Sequence, residues 1–199
     1  MNNKLQPQII IKNLLNNRSI CLVGLMGVGK SSIATHLAGE LDMTAYDSDQ
    51  EIELSSNFTI SEIFSKYGEA EFRRLEYLIT KRILSYGNVI LASGGGAFAN
   101  TATRNVIQDK SISIWIHTDI KTILGRLQKI QSRPLLAGKD ANKVMKNMLA
   151  TRREYYNQAD IKINCGESNK QQVTQKILLA LQNYLELENA KNTSNIPNT

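Results

Sequence analysis

Residues 24–31 read Gly-Leu-Met-Gly-Val-Gly-Lys-Ser, which matches the pattern G-x-x-x-x-G-K-[ST] at every position. A loop of this kind presents backbone N–H groups to a chain of phosphates. Its three glycines allow positive φ angles and close backbone approach. Lys30 would reach the β and γ phosphates, and the hydroxyl of Ser31 would bind Mg²⁺. The motif therefore predicts that the chain binds a nucleoside triphosphate.

The flanks of this loop have the patterns that such a loop requires. Residues 19–23 are a short apolar run typical of a buried parallel strand. Residues 31–41 are helical in pattern, and their apolar face carries Ile33, Ala34, Leu37, Ala38 and Leu41. Strand, glycine loop and helix in this order direct a helix N-terminus at a phosphate.

Apolar runs and helical patterns alternate along the rest of the chain. Strands are predicted at residues 19–23, 44–46, 88–92, 111–116 and 161–163, and helices at residues 49–54, 61–66, 70–85, 101–108, 119–127, 141–157 and 170–188. Such alternation indicates an α/β fold with a five-stranded parallel sheet and helices on both faces. Residues 9–15 are predicted as one or two helical turns lying against this domain, and residues 189–199 as a disordered tail.

Composition limits the classes of function. With 199 residues and 42% hydrophobic content, the chain suits one domain. The net charge is +6, but the basic residues are scattered, so nucleic-acid binding is not predicted. Cys21 and Cys165 lack metal-ligand spacing and suit a reducing cytoplasm. The sequence has no run long enough to span a membrane and no signal-peptide pattern. His36 and His117 are expected to be structural.

Two carboxylates, Asp47 and Asp49, follow the second predicted strand directly. Ligands collect beyond the carboxyl ends of parallel strands, where the glycine loop also lies. One carboxylate would hold the water shell of Mg²⁺, and the other would accept a hydrogen bond from a substrate hydroxyl and deprotonate it. The alternative is a helix N-cap, with Asp47 or Ser48 capping a helix from Gln50.

Two further segments have features that suit an anionic ligand. Arg73 and Glu76 are three residues apart on a predicted helix, so Arg73 would bind a carboxylate while Glu76 holds it in place; alternatively the two form a solvated surface pair. Gly94, Gly95 and Gly96 follow a buried strand directly. Three consecutive glycines are costly in backbone entropy, which indicates backbone pressed close against a ligand rather than an ordinary loop.

Three arginines lie in or beside the later helices. Arg126 closes the helix at residues 119–127, and Arg133 lies in the polar stretch that follows. That stretch is long enough for a lid, from which an arginine would neutralise charge on a transferred phosphoryl group. Arg152 is late in the helix at residues 141–157, where it is either a second carboxylate ligand or a favourable charge at the helix C-terminus.

Taken in order, these segments resemble the shikimate kinase family. That family combines G-x-x-G-x-G-K-[ST], D-x-D, G-E-x-x-F-R-x-x-E, G-G-G, R-P-L-L and a late R-x-x-x-Y segment before A-D. The matching segments are residues 24–31, 47–49, 68–76, 94–96, 133–136 and 152–160. The resemblance covers residues 19–187 and implies a P-loop fold like that of nucleoside monophosphate kinases, with a mobile lid.

The resemblance also implies an activity: transfer of phosphate from ATP to the 3-hydroxyl of shikimate, on the pathway to chorismate and the aromatic amino acids. It implies that Lys30, Asp49 and Arg133 are catalytic and that Ser31 and Asp47 hold Mg²⁺. The ATP-binding residues would be Gly27, Val28, Gly29, Lys30, Ser31, Ser32, Arg126 and Arg133, with Arg126 near the adenine. Residues 163–168 would be the segment where the family has an adenine-contacting loop, although this segment lacks a proline here. The shikimate-binding residues would be Asp49, Arg73, Gly94, Gly95, Gly96 and Arg152.

The domain plan that follows has an extension at residues 1–18, outside the core, and a single kinase domain at residues 19–188. Within that domain, the substrate region is at about residues 47–86 and the lid at about residues 128–140. We expect a monomer acting in the cytoplasm on shikimate and ATP, with neither nucleic acid nor a membrane as a partner.

The sequence departs from the family in the late segment, which reads Arg-Arg-Glu-Tyr-Tyr at residues 152–156 and lacks the usual proline. Arg153 is therefore a rival to Arg152 as the second carboxylate ligand, although the spacing to Tyr156 favours Arg152. Three other functions are considered: a P-loop kinase of another hydroxy or sugar acid such as gluconate, a P-loop switch or nucleic-acid-stimulated NTPase, and a non-catalytic regulatory relative. The switch class would want an N-K-x-D motif, which the sequence lacks.

Overall fold

The computed structural model describes residues 7–127 and 140–194, and it gives no side chains for residues 126 and 127. The predicted lid, except for residue 140, therefore lies outside the described residues, and Arg133 lies with it. The backbone of Arg126 is described as part of a helix. None of the helices within the described ranges is long and apolar enough to cross a membrane.

The order of elements is an alternation of strands and helices. The strands are β1 (Ser19–Val23), β2 (Thr44–Asp47), β3 (Val89–Ala92), β4 (Ser111–His117) and β5 (Ile161–Asn164). The helices are α1 (Pro7–Leu15), α2 (Lys30–Leu41), α3 (Ser48–Ser56), α4 (Ile60–Leu84), α5 (Thr101–Lys110), α6 (Ile120–Leu127), α7 (Ala141–Tyr156) and α8 (Lys170–Ser194), with a short 3₁₀ turn at Ala97–Ala99.

The five strands form one parallel sheet in the order β2-β3-β1-β4-β5. The central strand β1 pairs with β3 on one side and β4 on the other. This order brings the ends of β1, β2 and β3 to one edge, so the loops that follow these strands are neighbours. The predicted parallel α/β sheet is confirmed.

Alternate residues of β1 lie in two separate cores, which is why helices cover both faces of the sheet. Ile20 and Leu22 pack with α1, α2 and α8, whereas Cys21 and Val23 pack with α3, α4, α5 and α7. Both faces are therefore covered by helices, as the sequence predicts.

Helix α1 adds to the first of these cores. Ile11 and Leu15 are fully buried there, so residues that the sequence assigns to an extension outside the core belong to it. The guanidinium of Arg18 binds the carboxylate of Glu188 at 2.5 Å and ties the start of β1 to α8. The predicted short helix lying against the domain is confirmed.

Several elements begin or end at other residues than predicted, and three of these differences have a visible structural cause or consequence. Asn88 has a φ of 49°, so β3 begins one residue later. The predicted helices at residues 61–66 and 70–85 meet in α4 at a kink, where Gly68 has φ 80° and ψ 176°. Helix α8 runs to Ser194, so the prediction of disorder is wrong for residues 189–194; the side chains of Thr193 and Ser194 donate to carbonyls of the preceding turn.

Candidate active site

The glycine loop has the backbone geometry that its sequence predicts. Gly24, Gly27 and Gly29 have φ angles of 138°, 76° and 101°. At Gly24 a side chain is also excluded by space, because a Cβ would lie 2.3 Å from the carbonyl oxygen of Ile116 on the neighbouring strand. Helix α2 begins directly after the loop, at Lys30. The loop therefore closes over the N-terminus of α2, where anions are favoured.

Lys30 places its ammonium group inside this loop. Its Nζ donates to the carbonyl oxygens of Gly24 and Leu25 at 2.8 and 2.9 Å, and the residue is 8% exposed. The positive charge thus lies at the loop itself, where the motif requires it.

Asp47 is a helix cap and a neighbour of the loop at once. Its Oδ1 accepts from the backbone N–H groups of Asp49 and Gln50, so it caps α3, which begins at Ser48 rather than at Gln50. Its Oδ2 accepts from the hydroxyl of Ser31. The capping interpretation is correct, and it leaves one carboxylate oxygen facing the loop. The two predicted metal ligands therefore touch each other.

A cavity of about 400 Å³ opens beside the glycine loop. Its polar lining contains every predicted substrate-binding residue: Asp49, Arg73, Gly94, Gly95, Gly96 and Arg152. Glu76, Ser61 and Ser65 also line it, and its apolar lining consists of Met26, Ile60, Phe64 and Phe72. Because Met26 belongs to the glycine loop, the cavity and the loop share a wall.

Arg73 and Glu76 form a buried pair, so the solvated surface pair is ruled out. Arg73 donates to Glu76 Oε2 at 2.7 Å, and the Glu76 side chain is 0% exposed while that of Arg73 is 20% exposed. A second carboxylate, Glu69, accepts from Arg73 at 3.0 Å. Burial raises the pKa of Glu76, and the guanidinium of Arg73 opposes that shift. The pair holds the Arg73 head group at the cavity wall.

The protein itself fills the space around the three glycines after β3, with side chains at Gly94 and Gly96 and with the backbone of Met26, 3.0 Å from a Cβ built on Gly95. A Cβ on Gly96 would lie 2.5 Å from Nη1 of Arg73, and one on Gly94 would lie 2.5 Å from Oε1 of Glu76 and 2.9 Å from Oδ1 of Asp49. None of the three has a positive φ. Backbone pressed against a ligand is therefore only part of the reason, because Arg73, Glu76 and Asp49 occupy the space first.

Arg152, rather than Arg153, reaches the cavity. Its Nη1 donates to the carbonyl oxygen of Gly95 at 3.0 Å. Arg153 is exposed and lies near His117, whose pKa is lowered by burial and by the charges of Arg153 and Lys162. The rotation of α7 thus separates the two neighbouring arginines.

A second, smaller cavity of about 230 Å³ adjoins the end of the glycine loop. Val28, Gly29 and Ser32 line it together with Cys165 and Ser168, which follow β5. The resemblance expects an adenine-contacting loop in that same segment. The predicted place of Arg126 beside the adenine concerns a side chain that the structure does not describe.

The apolar wall of the larger cavity was not predicted from the sequence. Ile60 and Phe64 are one helical turn apart at the start of α4, and Phe72 follows the kink at Gly68. Apolar residues on a helix face packed in the protein core have the same spacing. The sequence therefore has no signal that distinguishes residues lining a cavity from residues buried in the core.

The chain is similar to known proteins over most of its length. A family model described as shikimate kinase matches residues 26–182. The chain is 38% identical over 185 residues to the shikimate kinase of Bartonella henselae, which covers 93% of this chain and 87% of that protein. It is 38% identical over 180 residues to the shikimate kinase of Brucella canis, covering 90% of each.

Solved structures give the same result. A shikimate kinase from Acinetobacter baumannii, solved in complex with shikimate, superimposes with a TM-score of 0.82 at 32% identity and covers 87% of this chain and 98% of that one. A gluconokinase from Sinorhizobium meliloti superimposes with a TM-score of 0.57 at 12% identity, covers 88% of this chain and 97% of that one, and shares the fold alone. On sequence, fold and the residues gathered in the cavity, the chain belongs to the shikimate kinase family.

Proposed function

We propose that the protein transfers the γ-phosphoryl group of ATP to the 3-hydroxyl of shikimate and releases shikimate 3-phosphate and ADP. One observation carries the proposal: a carboxylate, Asp49, and two guanidinium groups, Arg73 and Arg152, line one cavity that adjoins the phosphate-binding loop. The substrate of this reaction has a carboxylate at one place on its ring and hydroxyls at others. The cavity offers a matching group for each.

Arg73 and Arg152 bind the substrate carboxylate in this proposal. A guanidinium presents paired N–H donors that suit a carboxylate, and two such groups compensate the charge of an acid that leaves water. Each arginine is supported by the protein, Arg73 by Glu76 and Glu69 and Arg152 by the carbonyl of Gly95. This support reduces the entropy that binding costs, since the donors are held in place beforehand.

Asp49 orients the reacting hydroxyl and accepts its proton. The residue lies in the first turn of α3, next to the Asp47 cap, so its backbone position is set by the end of β2. The backbone of Gly94 lies against its Oδ1, as the 2.9 Å approach of a Cβ built there indicates. A carboxylate fixed at the cavity wall takes the proton as the oxygen attacks phosphorus.

The loop at residues 24–31 binds the phosphates of ATP, with Lys30 supplying a positive charge to the transferred group. Ser31 and Asp47 supply oxygen atoms of the kind that Mg²⁺ prefers, and the ion takes few direct protein ligands beside nucleotide phosphates. When bound, Mg²⁺ neutralises charge on those phosphates. Arg133 and Arg126 complete the ATP site in this proposal by resemblance.

The protein acts as a monomer in the cytoplasm in this proposal. Every group assigned to shikimate comes from one chain, so the site needs no second copy. Both cysteines are free and buried, which suits a reducing compartment. Light scattering on the purified protein tests the monomer.

The test of function is ADP release from Mg·ATP with shikimate, with gluconate and with neither. We expect stimulation by shikimate alone and a phosphorylated product. Gluconate is the second candidate because it is also an acid with hydroxyls, and stimulation by gluconate alone would refute the proposal.

The role of Asp49 has its own test. Asp49→Asn removes the proton acceptor and leaves the phosphate loop intact, so kcat falls by about 10²–10⁴-fold while ATP binding persists. Asp109→Asn is the matched control, because that carboxylate is on the surface beside Lys110 and its loss leaves kcat unchanged. Normal turnover in Asp49→Asn would remove the proposed role.

A further inference from the structure

The buried hydroxyl of Tyr156 is bound to the glycine segment of the cavity. Tyr156 lies at the end of α7 and is 1% exposed. Its hydroxyl donates to the carbonyl oxygen of Gly95 at 2.5 Å. Its ring stacks on Trp115 of β4, with centroids 5.6 Å apart and planes 25° apart. The ring of Tyr156 is therefore packed on β4, and its hydroxyl binds the glycine segment after β3.

The same carbonyl oxygen accepts from Arg152. The Arg152 Nη1 is 3.0 Å from the oxygen of Gly95. Because Arg152 and Tyr156 are four residues apart on α7, they lie on the same face of the helix. One carbonyl thus joins a cavity arginine to a side chain that does not line the cavity.

Gly94, Gly95 and Gly96 have no side chains with which to anchor their own backbone. Their conformation is therefore set by hydrogen bonds from outside the segment. The hydroxyl of Ser48 accepts from the N–H of Gly94 at 2.8 Å, and Tyr156 and Arg152 donate to the carbonyl of Gly95. Since a peptide unit is planar, fixing this carbonyl also fixes the N–H of Gly96, which points the opposite way.

We propose that Tyr156 is a positioning residue for the substrate site, which orients the Gly95–Gly96 peptide and the guanidinium of Arg152 before the substrate carboxylate binds. This inference rests on the proposed function. Burial raises the pKa of Tyr156 to about 12, so its hydroxyl stays protonated at neutral pH and acts as a donor. A phenylalanine at residue 156 would fill the same space and keep the stack on Trp115. The carbonyl oxygen of Gly95 would then accept a side-chain hydrogen bond from Arg152 but none from residue 156.

The experiment is Tyr156→Phe with steady-state kinetics for both substrates. We expect the KM for shikimate to rise roughly three- to tenfold, the loss of one buried hydrogen bond, while kcat and the KM for ATP stay within twofold of the wild type. Tyr155→Phe is the matched control, because this neighbouring ring packs against Arg104 and leaves Gly95 alone. Ser113→Ala controls for lost stability, since its hydroxyl binds Asp160; both controls keep the wild-type KM.

A double-mutant cycle tests whether Tyr156 acts through Arg152. Tyr156 and Arg152 share the carbonyl of Gly95. The KM for shikimate of the double variant, Tyr156→Phe with Arg152→Lys, therefore rises by less than the product of the increases in the two single variants. Trp115→Phe weakens the stack on the ring of Tyr156 but keeps the Tyr156 hydroxyl, so it gives a smaller rise in the KM for shikimate. This variant replaces Tyr156→Phe if Tyr156→Phe does not fold.

Three results would overturn the inference. An unchanged KM for shikimate in a folded Tyr156→Phe variant shows a merely structural hydroxyl, and so does an equal rise in the KM of both substrates. Fully multiplicative effects in the cycle show that Tyr156 does not act through Arg152. A wild-type protein inert toward shikimate refutes the proposed function and this inference with it.

Discussion

Gly96→Ala places a methyl group against the guanidinium of Arg73. The Cβ would lie 2.5 Å from Nη1, 2.6 Å from Nη2 and 2.7 Å from Cζ, whereas ordinary contacts begin at 3.4 Å. The head group must therefore retreat by about 0.5 Å to reach the tightest separation that real side chains show, 3.0 Å, and by about 0.9 Å to reach ordinary contact. Gly96 has a φ that any residue adopts, so the collision alone decides the outcome.

The size of the effect follows from what Arg73 does. Its side chain is 20% exposed, so the tip can swing toward solvent, and the melting temperature falls because the buried carboxylate of Glu76 loses its partner. That swing moves the head group away from Glu76 and from the substrate carboxylate. A hydrogen bond to a charged group contributes about 1.5–3 kcal/mol, which corresponds to a rise in the KM for shikimate of about 10- to 150-fold. The KM for ATP stays unchanged because the loop at residues 24–31 is untouched.

Steady-state kinetics and a thermal melt on the same sample separate binding from folding. Gly39→Ala is the control, because a Cβ there meets nothing within 4 Å and the residue lies in α2. It stabilises the protein by about 0.5–1 kcal/mol and leaves both KM values unchanged. A Gly96→Ala variant with the wild-type KM for shikimate would refute the assignment of Arg73 to the substrate.

Three further outcomes are expected. Gly94→Ala lowers the melting temperature more than Gly96→Ala, because its Cβ meets Glu76, which is fully buried and cannot swing into solvent; equal melting temperatures would contradict this. Cys21, buried and with a pKa raised to about 12, reacts with a thiol reagent at pH 8 only after denaturation, as peptide mapping checks. The pKa of His117 is lowered mainly by burial. Its contribution to the free energy of unfolding is therefore present above the unfolded pKa of about 6.5 and is lost as the pH falls through the folded pKa. In urea titrations from pH 7 to 5, the free energy of unfolding falls less in His117→Gln than in the wild type, and an equal fall in both would contradict this.

The pattern of neighbouring residues in the sequence was sufficient to predict the fold class. The glycine loop, the apolar strands and the helical faces are each set by neighbours within a few residues, so their types are readable without the tertiary structure. The predicted ends of an element differ from the observed ones where a contact with a residue distant in the sequence extends the element. Asp47 extends β2 because it pairs with Ala92, a residue far away in the chain.

The candidate site was readable only in part. The spacing of Arg73 and Glu76 predicts a pair on one face, but their burial follows from the packing of α4 against the glycines after β3. Likewise, the spacing to Tyr156 favours Arg152 over Arg153, but the contact of Arg152 with Gly95 depends on the rotation of α7 against that segment, which no local pattern sets.

The sequence by itself determined the phosphate loop, the parallel sheet and the types of charge that the substrate meets, because each of these resides in a short run of residues. Only the tertiary structure decided why three glycines follow β3 and which side chains bind their backbone. Gly95 and Tyr156 are 61 residues apart, and a contact over that separation exists only once the sheet has brought β3 and α7 together.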